Sequence, residues 1–329
     1  MTFMPASRSR ASRLFISFIA GLLSAGLSLA TAVPATATAT TTTTTNITTT
    51  EPLFIGWSGL LPPLPAAYSP TQAQQCADGA PECVDATITQ MQSRFAPLAA
   101  SCDHNAVFAL TYLRTTEEYR RTAAQPAFFA DVAYVNTEDA VFAAYYFHAY
   151  DAWLAGDGGG GVSPAWQIAF DAAAGRQLAG AGNILLGMNA HVNRDLPLVL
   201  ASLGLVTAGG QSRKADHDKV NVMLNRVIDP LLREAADRFD PSIDDIASPL
   251  GLSYTVLMQI LVAWRETAWR NAERLVNAPT AEARVQIQRE IETTAAATAT
   301  VLRTAYAVPR LLPLGQNRDT YCAARSARS

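Results

Sequence analysis

Gly187-Met188-Asn189-Ala190-His191-Val192-Asn193-Arg194-Asp195-Leu196 sets a histidine, two asparagines and an aspartate into a run that is otherwise small and apolar. The phase of this stretch decides the fold. His191 follows Trp166, Phe170, Ala173, Ile184 and Gly187 at the 3.6-residue period of a helix with one buried face. Ser163-Pro164 supplies an N-cap and a first-turn proline, so the spacing predicts a helix from there to about Arg194. His191 and Asp195 then lie one turn apart on one face. An imidazole and a carboxylate so placed can share a divalent metal, or act as a base and its orienting partner. Asn189 and Asn193 add amide donors and acceptors. Asp195 also precedes Leu196-Pro197, which fits a cap for a following helix. His191 would then be a hydrogen-bonded core residue.

Working outward, helical patterns continue and alternating strands do not. Helices are expected over 82–100, from Asp103 to about Ala124, and from Thr137-Glu138-Asp139 to about Leu154, the acids suiting a helix N-terminus. Further helices are expected from Pro197 to Leu203, from about Asp216 to Phe239, from Pro249 to Asn277, and from Thr280 to about Ala307. Trp264 and Trp269 with Arg265 and Arg270 read as a packed helix with a solvated face. Glu117 and Glu118 before Arg120 and Arg121 read as solvated pairs. Pro309, Pro313 and Gly315 end regular structure. The fold class is all-α: one multi-helix bundle over 82–308, with a Pro-rich extended lead-in at 51–81 and a tail at 309–329.

Three of the four histidines can be phased. His148 follows Val141 and Tyr145, and His217 precedes Val220, Leu224, Val227 and Leu231. With His191, each is expected on the inward face of its own helix, and bundles build metal sites from facing helices. The expected donor set is His148, His191, Asp195, Asp216 and His217, around a divalent ion, zinc for preference. Tyr145, Tyr146, Trp166 and Met188 would wall the adjoining pocket. His104, beside Cys102, is expected to be structural or exposed.

The 329 residues carry a net charge of −3, with no basic block for nucleic acid. Residues 1–32 read as a secretory signal: Arg8, Arg10 and Arg13 precede the apolar Leu14–Ala30, and Ala30-Thr-Ala32 fits a cleavage site. No other apolar run reaches membrane-spanning length. Thr36–Thr50 holds eleven threonines in fifteen residues, so 33–50 is expected to be a disordered linker, with a glycosylation sequon at Asn46-Ile-Thr48. Four cysteines suit an oxidising compartment. Cys76 and Cys83 could close a local loop, leaving Cys102 to Cys322, but spacing does not choose among three pairings.

Phe142…Tyr146, Trp166-Gln-Ile-Ala-Phe170 and Leu186-Gly-Met-Asn-Ala-His-Val-Asn-Arg-Asp-Leu196 resemble a largely bacterial family, domain-of-unknown-function family 5995. The likeness spans about Val107 to Phe239, and Asn-Ala-His-x-Asn-x-Asp is its most specific part. It implies a helical domain and no activity. The function expected from the residues is an exported metal-dependent hydrolase of a phosphoester or lipid-like small substrate. His191 and Asp195 would be at its centre, with Asn189 or Asn193 orienting substrate. The alternatives are a non-catalytic binding protein for an apolar ligand and an exported structural domain.

Overall fold

The structure, a computed structural model, describes residues 53–67, 76–156, 161–246, 252–307 and 317–326. The expected signal segment, threonine linker, sequon and Pro249 helix start lie outside these residues. Among the described residues every extended element is helical, so the chain is all-α as its periodicity predicts. The α-helices are α1 Pro81–Ala100, α2 Asn105–Ala123, α3 Val132–Leu154, α4 Pro164–Ala174, α5 Gly180–Met188, α6 Leu196–Leu203, α7 Lys214–Arg238, α8 Leu252–Val276, α9 Ala281–Ala305 and α10 Arg318–Ser326. A π-helical turn, Asn189–Asp195, joins α5 to α6. No described helix is long and apolar enough to cross a membrane.

Local chemistry sets the helix starts. Ser163 accepts from the Trp166 N–H, and Thr280 from the Ala283 N–H, as their cap positions require. α3 corrects the sequence expectation. It opens five residues before Thr137, because Asp131 caps it by accepting from the Tyr134 N–H at 3.1 Å. The Asp216 carboxylate of α7 supports that start, accepting from the Ala130 and Asp131 N–H groups at 2.8 Å each. Glu138 and Asp139 are therefore interior helical residues. The helix expected to run unbroken from Ser163 to Arg194 also divides. Gly175 closes α4, and Arg176 turns with φ at 51°, before α5 begins. Beyond the prolines, where no further helix was expected, α10 forms.

The π turn sits at the centre of the bundle, in contact with α3, α4, α5, α6, α8 and α9. Pro197 cannot donate to the carbonyl four residues back, and the Leu196 N–H reaches the His191 carbonyl, five back. Asn189 pins the turn to α9, its Nδ2 donating to the Ala295 carbonyl at 2.9 Å. α2 can approach because Gly187 has no side chain: a Cβ there would lie 2.2 Å from the Phe108 ring.

Two disulfides close the ends. Cys76–Cys83 spans 5.6 Å between Cα atoms, and Cys102–Cys322 spans 6.0 Å and ties α10 to the α1–α2 corner. The lead-in at 53–67 follows α8: Trp57 Nε1 donates to Gln259 at 3.0 Å, the Leu64 N–H to Glu273 at 2.7 Å, and Arg270 to the Pro62 carbonyl at 3.0 Å. Lys214, at the start of α7, is buried and donates to the Ser58 carbonyl at 2.9 Å, with Asp218 and Glu266 beside it at 2.8 and 2.9 Å.

Candidate functional site

Asp195 is fully buried and carries three donors. Trp166 Nε1 reaches Oδ2 at 2.8 Å, His191 Nδ1 reaches the same oxygen at 3.2 Å, and Arg194 Nη1 reaches Oδ1 at 2.9 Å. Nδ1 of His191 thus carries the proton and Nε2 is the acceptor. Nε2 is buried and has no partner. The imidazole stacks on Phe142, ring centroids 3.4 Å apart and planes 4° from parallel, with Tyr112 edge-on at 4.5 Å. Burial holds the His191 pKa below its usual value, and Asp195 only partly offsets this. Burial away from water disfavours the charged imidazolium.

The other expected residues scatter. His148 is exposed on α3. That helix is apolar around most of its circumference, so the Val141–Tyr145–His148 phase picked the half-buried side rather than the Ala143–Tyr146–Tyr150 core side. His217 is buried, but Nε2 faces the Arg265 carbonyl at 3.2 Å and Nδ1 faces Arg265 Nη2 at 3.2 Å, so neither nitrogen is free. Asp216 is occupied by the backbone at the start of α3. Asn189 accepts from Asn193 Nδ2 at 3.0 Å while holding α9, so both amides are framework. Among the described residues the one cluster with metal-ligand spacing is Cys76, Asp78 and Cys83, whose sulfurs are already bonded to each other. The five expected donors do not fit one ion. Of the five, His191 and Asp195 alone stay together.

Of the expected pocket wall, Met188 alone lines the cavity that His191 borders, whereas Tyr146 and Trp166 pack behind His191. The cavity holds about 140 Å³ and lies among α2, α3, α5, α7, α8 and the π turn. α7 contributes only apolar side chains to it, among them Met223, Val227 and Leu231. The polar groups come from the other walls. Tyr112 and Thr116 of α2, Glu138 and Asp139 of α3, His191 and Arg265 of α8 all line it. Five of their polar atoms are buried without a hydrogen-bond partner: the Tyr112 hydroxyl, Thr116 Oγ1, Asp139 Oδ2, His191 Nε2 and Arg265 Nε. Buried polar atoms are normally satisfied, and five of the residues around this one cavity each carry one that is not.

The acids were hidden in the sequence by their apparent place at a helix start. Burial pushes the Glu138 carboxyl up to about 7, with Arg265 opposing. Burial and the neighbouring Glu138 push Asp139 up to about 8. Arg265, expected on a solvated face, is buried, and Nη2 donates to the His217 carbonyl at 2.9 Å. Its guanidinium pKa is lowered, first by burial. The signal was present in the phase: Val135, Asp139, Phe142 and Tyr146 share one face, as do Leu257, Leu261 and Arg265.

No curated protein and no solved structure matches the chain. A family of unknown function, DUF5995, matches residues 84–305, which carry the cavity, the His191–Asp195 pair and the π turn; the chain belongs to that family.

Proposed function

We propose that this is an exported ligand-binding protein whose cavity receives a small molecule with an apolar body and a polar end. The observation that carries the reading is the apolar chamber, five of whose lining residues carry an unpartnered polar atom. Apolar walls with a few placed polar groups are the usual form of a small-molecule site. A dry cavity of about 150 Å³ is enough for a benzene ring, and 140 Å³ is close to that. Export is supported by the two disulfides and by the signal-like residues 1–32.

Isothermal titration with benzyl alcohol tests the reading. Saturable binding is expected, with a rise in melting temperature, since ligand at 100 times its Kd stabilises by about 2.7 kcal/mol. Val227→Phe should fill the chamber and remove the binding. A wild-type protein that binds no apolar probe and co-purifies with none, by mass spectrometry, ends the proposal.

A second reading, hydrolysis, draws on His191. The residue lines the cavity and its Nε2 is unpartnered while Asp195 holds Nδ1, the arrangement of a neutral general base that could take a proton from water beside a bound ester. Turnover of a small ester panel, abolished by His191→Gln with ligand binding retained, would favour it over binding alone. No step in it runs through a metal.

A further inference from the structure

Asp139 stands apart among the cavity's polar groups. Oδ2 is buried and unpartnered, and the residue forms no ion pair among the described residues. The charged and titratable groups around it can be named wall by wall. Glu138 is its neighbour on α3, Tyr112 and Tyr119 face the cavity from α2, His191 comes from the π turn, and Arg265 comes from α8. The Arg265 cation is engaged elsewhere: Nη2 is bound to His217, and its favourable electrostatic partners are Glu138 and Asp218. His191 is neutral. The cavity therefore holds two carboxyls against one guanidinium, and the carboxyl without a counter-ion lies beside aromatic rings.

We infer that the cavity selects a small protonated amine with an aromatic or short aliphatic body, its ammonium held by the Asp139 carboxylate beside the rings of Tyr112 and Phe142. This rests on the ligand-binding reading above. An ammonium supplies a donor and, as Asp139 gives up its proton, the positive charge that pairs with the carboxylate, and it is attracted to aromatic faces. A carboxylate ligand would meet two acids. A neutral alcohol would meet the protonated acid through a hydrogen bond alone, without the ion pair that an ammonium forms once that proton has left. The chamber's size limits the body to about one ring. Because burial holds Asp139 protonated near neutrality, ammonium binding displaces its proton to solvent. Affinity then rises with pH from 6 toward 8, until the amine itself loses its proton.

Benzylamine, benzyl alcohol and benzoate share one ring and differ in the polar end, so they separate this inference from the reading beneath it. With the full chain at pH 8, benzylamine is expected to bind at least tenfold more tightly than the other two. Asp139→Asn should erase that preference, read as the ratio of the benzylamine to the benzyl alcohol affinity in the variant against that in the wild type. Titration of the wild type at pH 7 in buffers of different ionisation enthalpy should show release of about one proton per amine bound. Equal or tighter binding of benzyl alcohol or benzoate overturns the amine selectivity and leaves the binding cavity standing. Amine binding without proton release, or an amine preference that survives in Asp139→Asn, also overturns it. Binding of none of the three removes the cavity reading and the inference together.

Discussion

At the scale of single residues, the cavity's two acids set the pH behaviour. Asp139 has a folded pKa of about 8 against 3.8 when free. Between those values the folded state holds a proton that the unfolded chain has lost. The stability from this group is complete below the unfolded value and fades as pH rises through the folded one. Glu138 behaves alike, with a folded value of about 7. Asp139→Asn should therefore raise the melting temperature relative to wild type at pH 8.5 and change it little at pH 4. His191 acts with the opposite sign: its folded pKa is lowered, so protonation of the unfolded chain below about 6.5 withdraws stability. Asp195 belongs to a different class, a buried carboxylate satisfied by Trp166, His191 and Arg194. Asp195→Ala strands those donors and should cost about 3–5 kcal/mol in urea denaturation, the usual loss when one partner of a buried ion pair is removed.

At the scale of elements, the helices with clear punctuation were legible. Ser163-Pro164 and Thr280 mark their starts because a side-chain oxygen at the cap is a local requirement. α3 was misread at its start for an equally physical reason. Thr137-Glu-Asp has the composition of a first turn, and nothing nearby in sequence shows that Asp216, on α7, satisfies the N–H groups before Val132. The candidate site shared that fate. The His191–Asp195 pair follows from spacing alone, whereas the Asp139 and Arg265 positions depend on which face of two long apolar helices turns inward. His148 failed on the same helix as Asp139, because a rod apolar on most sides gives its periodicity no preferred direction. α5, which leads into the π turn, depends on close approach to α2. In Gly187→Ala the new methyl meets the Phe108 ring, an overpacking expected to cost about 1–3 kcal/mol, read as a lower urea midpoint with unchanged m-value.

At the scale of the whole molecule, two crosslinks of unequal reach hold the fold. Cys76–Cys83 closes a separation of 7 residues and Cys102–Cys322 one of 220. In the chain-entropy account, the longer loop removes more freedom from the unfolded chain. The Cys102→Ser, Cys322→Ser double variant should lose about 2–5 kcal/mol, and removal of the shorter bridge should lose less; paired denaturation curves check the order. Reduction of the long bridge should also free α10 for early proteolysis, because it closes the sole covalent tie between that helix and the α1–α2 corner.

The reach of that crosslink bears on where the protein can be cut. The family match runs from 84 to 305, yet Cys322 lies after it and Ser58, Pro62 and Leu64 lie before it. A fragment trimmed to the family boundaries would carry Cys102 as an odd thiol open to intermolecular oxidation. It would also strip a carbonyl from buried Lys214 and an amide from buried Glu273. The unit of inheritance is thus shorter than the unit that must be expressed, and a recombinant product should begin ahead of the lead-in and end beyond the last helix.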